Sequence, residues 1–205
     1  MKKIFFLMIT LLFSFQFVNA QNNCLDFDGT DDYVDIGIGP STVQTVELWI
    51  NPASTSEYCI DLNGSAYIWV STGTLTATGF TSPTIYVNGV ASTAISLNEW
   101  QHIAVTTSTG INASNFDIGR KTTDYFDGKI DEVKLWDDVR TKAEIRASMY
   151  QELEGNESGL VAYYKFNESS LTNANDDQSS SNYDGTLTNM TGSEWTPSSA
   201  FFGPK

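Results

Sequence analysis

The sequence predicts an all-β protein. Short runs in which apolar and polar residues alternate recur along most of the 205 residues, and threonine, serine, asparagine and glycine separate them as turn formers. One segment alone carries helical caps and spacing. Leu25 and Phe27 alternate with aspartates, and Val34 and Ile36 resume the pattern after an acidic turn. Val46 to Ile50 alternates and stops at Asn51-Pro52. Residues 58–62, 66–70 and 84–87 are the next strands, and Asn88-Gly89 after "TIYV" forms a hairpin turn. "WQHIAVTT" (100–107), "NFDIG" (115–119) and "GKIDEVKLW" (128–136) follow, with "LVAYYKF" (160–166) and "GTLTNM" (185–190) as closing strands.

The helix is expected near residues 142–150. Thr141 with Glu144 three places on makes a capping box, and Ile145 and Met149 would face the strands. Residues 173–182 ("NANDDQSSSN") are the most loop-like stretch. An aromatic-Asp-Gly triplet occurs at Phe27-Asp28-Gly29, Phe126-Asp127-Gly128 and Tyr183-Asp184-Gly185, a composition that suits tight turns.

Residues 1–20 read as a secretory signal peptide: Lys2 and Lys3, an apolar run to about Val18, and a Val18-Asn19-Ala20 cleavage site. A membrane anchor fits less well, because the run is short for a span. The expected product is secreted or held at the cell surface, with no membrane insertion after cleavage. It is a single domain over 21–205, with its core at 24–148 and closing strands at 159–190. Cleavage leaves 25 acidic against nine basic residues, a formal charge of about -16. Such a surface excludes nucleic acid, whose binding requires Lys and Arg against phosphates. Export permits a disulfide between the two cysteines, Cys24 and Cys59, with two free thiols as the alternative.

Five aspartates fall within ten positions, at 26, 28, 31, 32 and 35. Calcium takes six to eight oxygens from carboxylates, carbonyls and water, and the turn from Asp28 to Asp32 offers such oxygens. A solvated turn is the alternative. In "IDEVKLW", parity places Asp131 with Val133 and Leu135. If those two face the core, Asp131 is a buried carboxylate that needs a partner. Either a metal shared with the Asp28 turn or neighbouring backbone amides would serve. His102 shares parity with Trp100 and Ala104, which fits a packed structural histidine, and no G-x-S-x-G marks a nucleophile. Trp49, Tyr67, Trp69, Tyr86, Trp100, Trp136 and Trp195 are candidates for stacking on sugars, although a lone strand aromatic is more often core.

In order, "LDFDGTDDYVDIG", "TVELWINP", "WQHIAVT", "NFDIGR" and "YFDGKIDEVKLWDDVRTKAEI" resemble the motifs of laminin-G-like jelly-roll (concanavalin A-like lectin and glucanase) domains of exported bacterial proteins. The resemblance covers about residues 24 to 148. It implies two antiparallel sheets packed face to face, a short helix after the last motif, and a structural calcium at the rim held by Asp28, Asp31 and Asp131. "IYVNG" stands before "WQHIAVT", where many relatives have it afterwards, so the loops are compact. Related glucanases carry E-x-D-x-x-E on one strand; here Lys129 and Lys134 stand at both glutamate positions, which removes acid and nucleophile together. The resemblance therefore implies a non-catalytic module that binds glycan. A structural or adhesive spacer of a surface protein is the alternative, and a glycoside hydrolase ranks last.

Overall fold

The computed structural model describes residues 22–168, 172–178, 180 and 182–200. The expected signal peptide lies outside them. Among the described residues the strands run β1 Asn23–Asp28, β2 Tyr33–Gly37, β3 Val43–Pro52, β4 Ser56–Asp61, β5 Tyr67–Ser71 and β6 Thr74–Thr78. Then come β7 Thr84–Val87, β8 Val90–Ala91, β9 Gln101–Ile111, β10 Phe116–Ile118, β11 Arg120–Lys121, β12 Asp124–Tyr125 and β13 Asp127–Trp136. Helix α1 (Lys142–Ser148) precedes β14 Leu160–Tyr164, β15 Asn173–Ala174, β16 Gly185–Thr188 and β17 Trp195–Pro197.

These strands form the all-β structure that alternation predicts, arranged as the antiparallel two-sheet sandwich that the resemblance implies. The eight-stranded sheet runs β17-β1-β13-β3-β9-β7-β8, with β14 also paired to β13; the seven-stranded sheet runs β15-β16-β2-β10-β4-β5-β6. Leu25, Phe27, Leu48, Ile50, Ile130 and Val133 of the first sheet meet Val34, Ile60, Ile68 and Ile118 of the second in one buried core. Because side chains alternate, each sheet also keeps an outer face, and the two outer faces differ.

Two of the repeated triplets are partners. β1 and β13 pair with Phe27 opposite Gly128 and Asp28 opposite Asp127. The Gly29 amide donates to the Phe126 carbonyl, and the Phe27 and Phe126 rings meet edge to face at 6.0 Å. Gly128 has φ +127, and a Cβ there would lie 2.3 Å from the Asn51 carbonyl oxygen. The triplet is a closure between neighbouring strands.

The outer face of the eight-stranded sheet is roofed. The capping box forms as expected, the Thr141 amide donating to Glu144 Oε2 at 2.8 Å and the Glu144 amide to Thr141 Oγ1 at 3.3 Å. Ile145 and Met149 are buried. The chain leaving α1 is gripped at alternate residues by three neighbouring strands. Trp49 Nε1 donates to the Met149 carbonyl (2.9 Å), Lys134 Nζ to the Gln151 carbonyl (3.1 Å), and the Leu153 amide to the Tyr163 hydroxyl (3.2 Å). Beneath this strap Lys134 Nζ sits 2.9 Å from Glu132 Oε2, and the Tyr163 hydroxyl donates to the same oxygen at 2.5 Å. His102 Nε2 lies 3.3 Å from Glu47 Oε2, and its ring meets Trp49 at 5.5 Å. His102 is thus the packed residue that parity suggests, with burial pushing its pKa down against the pull of Glu47.

The loop-like stretch is partly pinned. β15 pairs with β16, and the Asp176 carboxylate accepts from the amides of Tyr163, Gln178 and Tyr183.

Candidate functional site

The acidic turn gathers Asp28 and Asp31 as expected. Asp28 Oδ1 accepts from the Thr30 amide at 2.8 Å and the Asp31 amide at 3.4 Å, while the Asp28 amide donates to Asp32 Oδ2 at 3.3 Å. Gly29 makes the turn with φ +70 and leaves no room for a Cβ, which would fall 2.7 Å from Asp127 Cβ. One carboxylate oxygen from each of Asp28, Asp31 and Asp32 lies within 4.8 Å of the others. Burial, and then the Asp28 charge, push the Asp32 pKa up to about 6. Three hard oxygen donors whose charges resist one another fit a hard cation such as calcium.

Asp131 is not a member of that group. Asp28 pairs with Asp127, and Asp131 stands four residues further along β13, roughly 13 Å away at about 3.3 Å per residue. The shared-metal expectation fails for a second reason as well. The register shifts between Asp131 and Lys134, and Glu132 takes φ +52. This bulge breaks parity, so Ile130 and Val133 face the core while Asp131 does not. Asp131 is buried against Ser198, whose hydroxyl donates to Oδ2 at 2.5 Å. Burial, followed by the Glu132 charge, holds its pKa well above the carboxylate range. Asp32, already present in the run of five aspartates, takes its place in the turn.

The expected Cys24–Cys59 bridge is also absent. Both thiols are free and buried. Cys24 shares the face of Asp26 on β1 and lies 3.5 Å from the Thr196 carbonyl. Cys59 belongs to the core. The two therefore sit on strands of opposite sheets, one pointing out of the sandwich and one into it.

The open surface is the outer face of the seven-stranded sheet. The residues that alternate with core members Val34, Ile60, Ile68 and Ile118 emerge there. Tyr58 and Trp69, cross-strand partners on β4 and β5, stack at 5.3 Å and 10°, and Tyr67 joins Tyr58 at 5.8 Å. All three rings are half-buried. The β11–β12 hairpin leans over this face. It turns at Thr122 (φ +58) and brings Tyr125 to 6.4 Å from Tyr33. The hairpin delivers two cations: the Arg120 guanidinium lies 3.4 Å over the Tyr33 ring, and Lys121 Nζ lies 4.5 Å over the Tyr67 ring. Asp35, Asp117 and Asp61 form one row across β2, β10 and β4. Arg120 donates to Asp117 Oδ2 through Nε at 3.1 Å and Nη2 at 2.7 Å. Burial nonetheless raises the Asp117 pKa, with Arg120 pulling the other way.

Of the aromatics read from the sequence, Tyr67 and Trp69 stand on this face, whereas Trp49, Trp136 and Trp195 are buried. Tyr33, Tyr58, Tyr125, Arg120 and Lys121 were missed. Alternation marks Tyr33 as outward, but it gives Tyr58 the parity of core residues Ile60 and Leu62, and only the register shift between Tyr58 and Ile60 turns Tyr58 outward; nothing local in the sequence says that the hairpin folds back over them.

No family model and no curated protein matches the chain. Among solved structures it is similar to a provisionally assigned carbohydrate-binding protein from Bacteroides ovatus, with a TM-score of 0.58 and 17% identity over 82% of this chain. The chain spans 58% of the length of that protein. At this identity the likeness shows the fold alone: the matched part of that protein shares the antiparallel sandwich of this chain.

Proposed function

We propose that this chain is a non-catalytic, exported binding module that takes carbohydrate on the outer face of the seven-stranded sheet. The observation that carries the reading is the half-exposed aromatic group Tyr58, Trp69 and Tyr67, set beside Tyr33 and the β11–β12 hairpin. Aromatic rings combine apolar area with little conformational freedom, and they receive the C–H faces of sugars while nearby carboxylates accept from hydroxyls. The carbohydrate-binding assignment of the similar Bacteroides protein supports the same class of ligand. The carboxylates of β13 support a binding role over hydrolysis: Asp131 and Glu132 are buried and bonded to Ser198, Lys134 and Tyr163.

Calcium at the Asp28–Asp31–Asp32 turn would stabilise the rim of the same sheet by relieving the repulsion that raises Asp32. Its signature is a melting temperature that falls with chelator and recovers with calcium.

The test is binding of the purified protein to a polysaccharide panel, comparing wild type with Trp69→Ala and Tyr58→Ala. Anchor aromatics cost ~2 kcal/mol or more when truncated, so affinity should fall at least about thirtyfold. No binding to any glycan, together with self-association, would favour the spacer reading. Binding undiminished in both variants would move the site elsewhere.

A further inference from the structure

We infer that the face selects neutral, hydroxyl-rich glycans and rejects acidic ones; the inference rests on the carbohydrate reading above and adds the chemical class of the ligand. The basis of selection is charge. Two cations reach this face, Arg120 and Lys121. Arg120 gives both Nε and Nη2 to Asp117 Oδ2 and lies flat on Tyr33. Lys121 is held over Tyr67 and is the cross-hairpin neighbour of Asp124. Against them stand Asp35, Asp61, Asp117 and Asp124. The Asp35 and Asp124 carboxylates are exposed, and the Asp124 charge reaches Tyr58 strongly enough to add to the rise in its pKa that burial causes.

A uronate or sulfate arriving here meets four carboxylates against two cations, and the Arg120 charge is already paired with Asp117. The chain as a whole deepens the repulsion, since its formal charge is -14. A neutral sugar meets what it can use: ring faces for its C–H groups, and carboxylate oxygens for its hydroxyl protons. Asp61 is less free for this, because its Oδ1 already accepts from the Asn63 and Gly64 amides at 3.1 and 2.6 Å. Asp35 is the exposed acceptor of the row.

The test uses the full secreted chain in affinity electrophoresis and calorimetry. The neutral probes are β-glucan, xylan and galactomannan; the acidic probes are polygalacturonate, alginate and heparin. At about 20 mM salt, at least one neutral glycan should bind at least tenfold more tightly than every acidic one. Raising the salt to about 200 mM should leave the neutral affinity unchanged and narrow the gap, because repulsion is screened while stacking is not. Asp35→Asn with Asp124→Asn should narrow the gap by about threefold at low salt. An acidic glycan that binds as well as or better than the neutral ones, weakening with salt, overturns the selectivity and leaves the carbohydrate reading standing. Binding to none of the six removes both.

Discussion

Lys134→Met tests the buried charge network under the strap. Lys134 and Glu132 are each 1% exposed, and their charges meet at 2.9 Å. Lys134 Nζ also holds the Gln151 carbonyl, and among the described residues the Glu132 carboxylate has the Tyr163 hydroxyl as its one further bonded partner. Methionine matches the stem of lysine in length and volume, so packing is largely kept. What is lost is the counter-charge to a buried carboxylate and one tie to the strap. Breaking a buried pair on one side costs about 3–5 kcal/mol. At about 2–4 °C per kcal/mol for a chain of this size, the melting temperature should fall by roughly 6–20 °C at pH 7. The pH dependence separates this cause from a packing defect. Burial already raises the Glu132 pKa, and Lys134 is the main influence holding it down. Without the lysine the folded pKa rises further. A raised carboxylate pKa means that the folded state holds its proton more tightly, so the penalty is absent below the unfolded value near 4 and grows as pH climbs through the folded value. Urea melts of the variant should converge on wild type as pH falls from 7 towards 4, and adding Glu132→Gln should recover most of the loss at pH 7. A deficit under about 1 kcal/mol, or one equal at pH 5 and pH 7, would refute the argument.

Three further outcomes follow from the same geometry. Asp32, with its pKa pushed up to about 6, contributes stability below about pH 4 that is lost as pH rises through 6. Calcium-free protein should therefore lose on the order of 1 kcal/mol over that range once solvent screening is allowed for; Asp32→Asn should flatten the profile and abolish the rescue by calcium in thermal melts. Burial raises the Cys24 thiol to about 11 and pushes Cys59 up as well, so a thiol reagent should label neither in the native protein and both after denaturation. A melting temperature lowered by reductant would instead reveal a bridge. Gly119→Ala should cost about 3 kcal/mol in a denaturant melt, because residue 119 has φ +80 and its new Cβ would lie 2.5 Å from the buried Phe27 ring; a loss below 1 kcal/mol would show that Phe27 can move.

Much of the fold was legible because alternation is a local signal. Leu25 and Phe27, Val46 to Ile50, and Ile130 to Trp136 all lie on the strands expected of them, and Thr141 and Glu144 cap the helix as their spacing requires. What escaped depends on single residues or distant chain. The bulge at Glu132 cannot be read from "IDEVKLW", yet it moves Asp131 from the core side to the side of Ser198. The two- and three-residue strands β11, β12 and β17 have too few residues to show a period. Cysteine geometry was partly legible: Cys24 shares parity with Asp26 and opposes Leu25 and Phe27, which already argues against a partner in the core. The turn at Asp28 was found from its residue types, but its third carboxylate was assigned by strand parity rather than by the turn itself, and parity failed there.

The contrast between the two outer faces bears most directly on function. Each sheet of a sandwich has one face committed to the core and one free for other use. On the eight-stranded sheet the free face is occupied: α1 and the strap cover Glu47, His102, Lys134 and Glu132, all at or below 1% exposure. Ionisable groups that deep need pairing, and the strap adds the Gln151 carbonyl to Lys134 and the Leu153 amide to Tyr163. A ligand on that side would have to lift 149–153 and expose a charge network held together by being dry. Among the described residues the seven-stranded sheet carries no such cover over Tyr58, Trp69 and Tyr67, and the hairpin beside them leans on ring faces without sealing them. Asp131 and Glu132 of the central strand β13 are engaged in buried contacts with Ser198, Lys134 and Tyr163. The recognition surface proposed above is built from β2, β4, β5 and the β11–β12 hairpin, where half-buried aromatic rings and the exposed Asp35 and Asp124 carboxylates lie together.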